Sequence, residues 1–241
     1  MRRIINTLMT VALLAAGTAA LAQGNDARVR VAHLSPNAPA VDVIVNDAVR
    51  AFEDVAYTEV EDYLPVAPGL YNVKVVGKGE GIGDPVIEGD LNLFFNRDYT
   101  VVALNFFEDI EPILLVDDNT PAPNKKSKIR FVHASPNAPP VDIKVVDGPF
   151  LFQNVAFKES GGYVTVPEGV YDLEVRAAGT DIVALELPGV AVDGGTTYTV
   201  FAAGVFQGTP ALGVVVSVDD ISPSKFRGAR NDRRERTKST N

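Results

Sequence analysis

Apolar residues recur at every second position in several short runs of this chain. In 41–45 three valines alternate with other residues, and in 71–75 one tyrosine and two valines alternate with asparagine and lysine. A period of two is typical of a β-strand, in which neighbouring side chains point to opposite faces of a sheet. The spacing of three or four residues that marks an amphipathic helix is not the rule here. The pattern predicts an all-β protein.

Turn-forming segments separate these runs. They include SPNAP at 35–39, VAPG at 66–69, the glycine-rich stretch 77–85 and FNRD at 95–98. The resulting rhythm predicts about seven strands in roughly 90 to 100 residues, which is the size of an immunoglobulin-like β-sandwich. Two stacked sheets are favoured over one because a single sheet would leave an apolar face in water.

The chain contains this unit twice. VRVAHLSPNAPAVDVIV at 29–45 returns as IRFVHASPNAPPVDIKV at 129–145, which indicates duplication of a folding unit. The predicted fold class is therefore all-β, with two tandem immunoglobulin-like β-sandwich domains at 23–118 and 128–221. A Pro/Lys linker at 119–127 joins them, and its prolines predict a fairly stiff spacer.

The two ends of the chain have a different character. Residues 1–22 combine Arg2 and Arg3 with a short apolar run and a final small-residue stretch, which predicts a secretory signal peptide cleaved before Gln23. Residues 222–241 are basic and almost free of apolar side chains, which predicts a disordered tail. We therefore expect an exported protein, periplasmic or extracellular.

Composition narrows the choice of partners. The formal net charge is -9 and the chain has no Cys, so disulfides cannot stabilise it. The part of the chain between the predicted signal peptide and the basic tail is acidic and therefore repels nucleic acid. After the signal peptide, no apolar stretch approaches the roughly 20 residues of a membrane helix. We expect an unidentified envelope or extracellular partner, no nucleic acid and no transmembrane segment in the mature chain. The oligomeric state is left open.

One block returns with the highest fidelity: R-x-x-H-x-S-P-N-A-P-x-V-D, at Arg30–Asp42 and Arg130–Asp142. With its surroundings this block resembles the family catalogued as domain of unknown function 4397, in two tandem copies. The resemblance covers about 28–118 and 128–220 and leaves the basic tail outside. It implies a β-sandwich and export, and it supplies no catalytic residues to transfer.

The block also contains the three residue types of a hydrolase triad. It lacks the G-x-S-x-G elbow that exposes a nucleophilic serine, and in each copy a proline follows the serine. We therefore predict a structural role, in which Ser35 and Asn37 bond the turn and Asp42 accepts a hydrogen bond from His33 or Ser35. The predicted structural motif consists of His33, Ser35, Asp42, His133, Ser135 and Asp142.

Metal and cofactor sites have little support in the sequence. Two histidines in separate repeats and no cysteine leave almost no ligands for zinc or copper, so we predict no metal site and no cofactor. Calcium prefers oxygen ligands, and it stays open as a weak alternative near the ends of the repeats. The carboxylates considered for it are Asp117 with Asp118, Asp219 with Asp220, and Glu80 with Asp84.

Aromatic residues suggest two further features. Tyr99 and Tyr198 each open a late strand, where a ring can pack inside while its hydroxyl bonds the backbone upstream, and Tyr71 and Tyr171 are rivals for this tyrosine-corner role. Phe94–Phe95 stand at a turn that ought to be polar. A contact between one of these rings and the second domain is a hypothesis, beside ordinary core filling.

The predicted function is that of an exported, non-catalytic protein of the cell envelope or extracellular space. Tandem domains with a stiff linker present surfaces at defined distances, which suits a structural, adhesive or ligand-binding role. The alternative is a secreted hydrolase or a carbohydrate-binding module. The absence of Trp weakens the carbohydrate alternative, because sugar rings are usually gripped by flat aromatic side chains.

Overall fold

The computed structural model describes residues 26–221, so the predicted signal peptide 1–22 and basic tail 222–241 lie outside the described residues. Within this range the chain forms β-strands and one 3-10 turn at Phe107–Asp109, with no α-helix. The prediction of an all-β protein is confirmed. In the described part, no helical segment has the length and apolar character needed to cross a bilayer.

Each repeat forms eight strands where about seven were predicted. The short strand at Leu64–Val66 has three residues, too few for an alternation to show in the sequence. The strands of the first repeat are β1 (Ala27–His33), β2 (Val41–Val45), β3 (Val49–Val55), β4 (Leu64–Val66), β5 (Gly69–Gly77), β6 (Ile87–Leu93), β7 (Asp98–Leu104) and β8 (Glu111–Asp117).

The second repeat follows the same order after a connection at 118–125, which overlaps the predicted linker 119–127. Its strands are β9 (Lys126–His133), β10 (Val141–Val145), β11 (Phe150–Val155), β12 (Ser160–Pro167), β13 (Gly169–Ala177), β14 (Val183–Val192), β15 (Thr196–Ala203) and β16 (Gly213–Ile221).

These strands form four sheets of four strands, two in each repeat. We call β4-β1-β7-β8 inner sheet 1 and β3-β2-β5-β6 outer sheet 1; β12-β9-β15-β16 is inner sheet 2 and β11-β10-β13-β14 is outer sheet 2. The first strand of each repeat pairs in parallel with the seventh, with Val31 opposite Val101 and Phe131 opposite Val200. All other pairings between named strands are antiparallel.

The two sheets of each repeat stack on an apolar core. In the first repeat, Val31 of the inner sheet packs with Val43 and Val75 of the outer sheet. In the second repeat, Phe131 and Phe152 occupy the centre of a larger cluster, with ring centroids 5.8 Å apart. These alternate apolar positions are the ones that the period of two predicts.

The two repeats also pack against each other through their inner sheets. A third apolar cluster joins them, and strands β1 and β9 are consequently buried on both faces. Its buried members are Ala32, Leu34, Val102, Leu104 and Leu115 from the first repeat and Val132, Ala134, Phe201 and Ala203 from the second. The chain is therefore a stack of four layers, with the two inner sheets in the middle.

Candidate functional site

The histidine of the repeated block is the last residue of the first strand of each repeat. His33 and His133 are 1% and 0% exposed. The Nε2 atom of His33 lies 2.9 Å from the carbonyl oxygen of Pro39, and that of His133 lies 3.1 Å from the carbonyl of Pro139. A carbonyl can only accept, so each Nε2 carries the proton and donates it. Each histidine therefore closes the turn that follows its own strand.

The aspartate of the block holds different groups from those predicted. Asp42 accepts hydrogen bonds from the backbone N–H groups of Asp54 and Gly79, at 2.7 and 2.8 Å, and forms an ion pair with Arg50. It makes no hydrogen bond with His33 or Ser35, so that prediction was wrong. Burial opposes ionisation of the Asp42 carboxyl, but these three donors outweigh it and hold its pKa below the usual value.

Asp142 repeats this arrangement in the second copy. Its carboxylate accepts from the N–H groups of Asn154 and Gly179, at 2.7 and 2.9 Å. The two donors belong to the two sides of β10 in outer sheet 2: Asn154 lies near the end of β11, and Gly179 follows β13. The aspartate thus ties the second strand of each repeat to the end of the third strand and to the connection after the fifth.

The asparagine of the block binds a neighbouring loop in both copies, and the serine does so in the second copy, whereas bonds within their own turn were predicted. Ser135 donates to the carbonyl of Gly204 at 2.7 Å, and the buried hydroxyl of Ser35 has no partner. The Oδ1 atom of Asn37 accepts from the N–H of Phe107 at 2.7 Å. Asn137 accepts from Phe206 in the same way at 2.8 Å. These bonds hold the motif turn against the loop after the seventh strand.

The motif residues consequently do not form a catalytic constellation. A triad needs a base bonded to the nucleophile and an acid bonded to the base. In both copies the histidine donates to a proline carbonyl and the aspartate accepts from backbone N–H groups. Within residues 26–221, no group of three or more His, Asp or Glu side chains is placed to hold a metal ion.

Burial of the two histidines makes stability depend on pH. Burial lowers the pKa of His33 and of His133 below the ordinary 6.5. Below about pH 6.5 the unfolded chain binds protons that the folded chain excludes, so this part of the stability is complete above that pH. It is lost as the pH falls towards the folded-state pKa, at up to about 1.4 kcal/mol per histidine per pH unit.

We expect the urea concentration at the midpoint of unfolding of the wild type to decrease as the pH is lowered from 8 to 5. The double variant His33→Asn, His133→Asn should be less stable at pH 8 but show a flatter slope from pH 7 to pH 5. The stability that ionised Asp42 contributes is complete from pH 8 to pH 5 and is lost only at lower pH, because its folded-state pKa lies below its usual value. An unchanged slope in the double variant would show that other groups carry the pH dependence.

Two buried arginines, one from each repeat, lie between the inner sheets and bond side chains of the other repeat. Arg30 of the first repeat reaches Asp219 of the second at 2.6 Å and Ser217 at 2.7 Å. Arg130 of the second repeat reaches Asp117 of the first at 2.6 Å. Each repeat therefore contributes one arginine and one aspartate, and each pair joins the two repeats.

Two threonines link these ion pairs into one network. Thr100 accepts from Arg30 at 2.9 Å and donates to Asp117 at 2.7 Å. Thr199 accepts from Arg130 and donates to Asp219. All four charged side chains are at most 3% exposed. We call Arg30, Asp117, Arg130, Asp219 and the two threonines the arginine cluster; its four ionised groups sum to zero charge.

Two equivalent tyrosines cover the arginine cluster. The ring of Tyr63 lies 4.5 Å from the guanidinium of Arg30, and the ring of Tyr163 lies 5.0 Å from that of Arg130, within the range of a cation–π contact. Tyr63 also donates to Asp117 at 2.7 Å. Burial raises the pKa of Tyr163 to about 12, and burial with the nearby Asp117 raises that of Tyr63 further.

The arginine cluster includes two of the carboxylates that were considered as calcium ligands. Asp117 and Asp219 are bonded to buried arginines. Asp118 forms an ion pair with Lys128 at 2.7 Å. These oxygens already have cationic partners supplied by the protein.

The aromatic predictions have mixed outcomes. The hydroxyls of Tyr99 and Tyr198 bond the backbone upstream as predicted, accepting from the N–H groups of Phe94 and Asp193 at 3.2 and 3.3 Å. The rivals Tyr71 and Tyr171 also bond the backbone upstream, donating to the carbonyls of Ala67 and Pro167, both at 2.7 Å. Phe94–Phe95 are 53% and 63% exposed and take no part in the cluster between the repeats. The hypothesis of an inter-domain contact there was wrong, because the repeats meet through their inner sheets.

Comparison with known proteins now places the chain. The sequence profile of the family described as "Domain of unknown function (DUF4397)" matches residues 27–144 and 131–230. The chain belongs to this family. The two matched segments begin within the first strand of each repeat, which confirms the resemblance found in the sequence. They overlap at 131–144, and the second runs to residue 230, so the expectation that the basic tail lies wholly outside the resemblance was wrong. No curated protein matches the chain.

Two solved structures show a distant likeness. The Bacillus anthracis TIE protein is 12% identical with a TM-score of 0.25; the match covers 76% of this chain and 34% of that one, so the chain spans far less than the whole relative. A Bacteroides fragilis NCTC 9343 protein, provisionally described as a cell adhesion protein, is 10% identical with a TM-score of 0.18, covering 79% and 97%. Likeness at this level carries no argument about function.

No role was predicted from the sequence for Arg30 and Arg130, the first residues of the repeated block. Arg30 alternates with valines on β1, and a charged residue at such a position ordinarily faces solvent. A signal was nevertheless present, because arginine, threonine and aspartate recur together in both repeats. The recurring positions are Arg30 and Arg130, Thr100 and Thr199, and Asp117 and Asp219.

Proposed function

We propose that this protein is an exported, non-catalytic protein of the cell envelope or extracellular space, with a structural, adhesive or ligand-binding role. We further propose that each repeat is an immunoglobulin-like β-sandwich and that residues 1–22 direct export. The observation that best supports a non-catalytic role is the use of the motif side chains. His33 and Asp42, with their counterparts His133 and Asp142, are buried and bonded to backbone groups.

The packing between the repeats supports a role in holding or presenting surfaces. Tandem domains joined only by a linker can move independently, whereas the apolar cluster and the arginine cluster oppose motion between these two. Loops at the ends of the stack are thereby held at fixed distances from one another. Fixed spacing favours simultaneous contact with one extended partner, because no entropy is lost in orienting the domains.

The alternative functions have no comparable support. A hydrolase would need a histidine free to act on a serine, and both histidines donate to proline carbonyls. A carbohydrate-binding module usually grips sugar rings with flat aromatic side chains, and the absence of Trp weakens that alternative although Phe94 and Phe95 are exposed. We therefore retain the non-catalytic proposal alone.

The proposal is tested with the variants His33→Ala and His133→Ala in the mature protein. Each removes a buried donor and leaves a proline carbonyl unpaired, so we expect a loss of about 2 kcal/mol and a melting temperature lower by roughly 4–8 °C. The exposed control Lys78→Ala should change it little. The wild type should turn over nothing in a panel of ester, peptide and glycoside substrates. Turnover that the histidine variants lose at an unchanged melting temperature would contradict the proposal.

A further inference from the structure

An apolar cavity of about 240 Å³ lies between the two sheets of the first repeat. Its wall takes side chains from every strand from β1 to β8, and valines and leucines dominate it. Val43, Val75 and Leu93 of this wall are each at most 5% exposed. Protein interiors are normally packed without voids of this size, so the cavity needs a cause in the sequence.

Comparison of the two repeats supplies that cause. Val31 occupies the position of Phe131, since each lies opposite the equivalent valine of the seventh strand. Gly89 occupies the position of Leu187, since Gly89 pairs with Val73 and Leu187 pairs with Leu173.

A third position follows the same trend. Ala51, in the cavity wall, precedes Phe52 as Leu151 precedes Phe152, and Leu151 packs on the core of the second repeat. In the second repeat the corresponding side chains Phe131, Leu151 and Leu187 all belong to that core or pack against it. The first repeat therefore has the same frame with three smaller side chains, and the missing volume becomes the cavity.

The cavity has an opening at the edge formed by β6 and β8. A Cβ atom added to Gly89 would meet nothing within 4 Å, so the space beside it is empty. Leu114 of β8 also contributes to the wall and is 47% exposed. Gly89 and Leu114 face the space between the sheets, and their neighbours along each strand face the other way. A small molecule can therefore reach the cavity without separating the repeats.

The chemistry of the wall selects the ligand. Among the described residues that form the wall, none is Lys or Arg, so a carboxylate or phosphate would lose its hydration without gaining a partner. His33 is one of the wall residues, and its Nδ1 atom has no hydrogen-bond partner. In the second repeat the corresponding Nδ1 accepts from the N–H of Ser135 at 3.3 Å. The wall also includes Asp90, but this residue is exposed and its carboxylate accepts from Asn72 at 3.3 Å. The buried part of the wall therefore offers a charged ligand no partner, and a neutral ligand fits it better.

We propose that the first repeat binds a small, uncharged, apolar molecule, an aromatic or aliphatic hydrocarbon of one or two rings or similar size, between its sheets. Apolar cavities of about 150 Å³ bind benzene, and drug-sized sites begin near roughly 300 Å³, so this volume lies between the two. The inference deepens the proposed ligand-binding role and rests on it. The second repeat, in which Phe131 and Leu187 occupy the corresponding positions, is the matched unit for comparison.

The test titrates the mature protein with toluene, naphthalene and dodecanoate, followed by calorimetry and by nuclear magnetic resonance of the valine and leucine methyl groups. Toluene and naphthalene should bind saturably and shift methyl signals of Val43 and Val75. Dodecanoate separates a free hydrocarbon from the acyl chain of a lipid, and it should bind at least about tenfold more weakly because its carboxylate has no cation in the wall.

A variant that copies two side chains of the second repeat provides the decisive comparison. Val31→Phe with Gly89→Leu should weaken binding at least about tenfold and raise the melting temperature, because it fills the cavity. The control Val49→Phe with Gly83→Leu adds the same side chains at exposed positions and should bind as the wild type does.

Three results would overturn the inference: no saturable binding by the wild type, equal binding by the filled variant, or methyl shifts confined to the second repeat. If the filled variant fails to fold, Ala51→Leu provides a smaller filling step, and unchanged affinity there also counts against the site. Failure of the non-catalytic proposal would be recognised separately, as turnover in the substrate panel that the histidine variants lose.

Discussion

Replacement of Arg30 by alanine is expected to destabilise the protein by about 3–5 kcal/mol. The variant removes the direct partner of the buried Asp219, at 2.6 Å, and leaves Arg130, at 4.0 Å, as its nearest cation. Removal of one partner of a buried ion pair costs far more than the pair contributes. Urea unfolding of the mature chain, followed by circular dichroism, measures the loss. A variant within about 1 kcal/mol of the wild type would contradict the geometry of the arginine cluster.

Two further variants separate the ion pair from general effects of substitution. Lys158→Ala removes an exposed ion pair with Glu111 that also joins the repeats, and it should cost less than about 1 kcal/mol. Arg30→Met combined with Asp219→Leu removes both charges and should recover most of the stability lost in Arg30→Ala, because no charge then lies buried alone. Equal losses in all three variants would mean that burial of charge is not the cause.

Replacement of Asp142 by alanine is expected to cost about 2–4 kcal/mol. The backbone N–H groups of Asn154 and Gly179 would lose a charged acceptor that no water replaces easily, since Asp142 is 3% exposed. Thermal unfolding measures the effect. Asp142→Asn should cost less, because the amide oxygen can still accept one of the two bonds.

The matched control for this prediction is Asp181→Ala. The Asp181 side chain is fully exposed and pairs with Arg176 on the surface, so its loss should change stability little. If Asp142→Ala behaves like Asp181→Ala, the hydrogen bonds that Asp142 accepts from Asn154 and Gly179 do not stabilise the repeat. Asp42 is a less clean target, because Arg50 also binds it.

The all-β fold and its duplication were predictable because they depend on local patterns. The valines of β2 alternate with a period of two, and the block around His33 recurs around His133 with the same spacing of residues. Short β4 was missed because three residues cannot display a period. The sequence also predicted a structural role for His33 and Asp42, although it named the wrong partner for Asp42.

The contact between the repeats was not predictable from the alternation. A polar residue such as Arg30 on a strand normally marks the solvent face of a sheet, and nothing local distinguishes a solvent face from a face covered by a second domain. Phe94–Phe95 were proposed for the contact between the repeats, but both rings are exposed. The cavity was equally hidden, because the equivalence of Gly89 and Leu187 depends on the strand register.

Buried ion pairs and a shared apolar cluster join the two repeats into one folding unit. Differential scanning calorimetry of the mature wild type and of Arg30→Ala with Arg130→Ala tests it most directly. We expect one cooperative transition in the wild type and two separate transitions in the double variant, because each repeat retains its own core. Two independent transitions in the wild type, unchanged in the double variant, would contradict the claim.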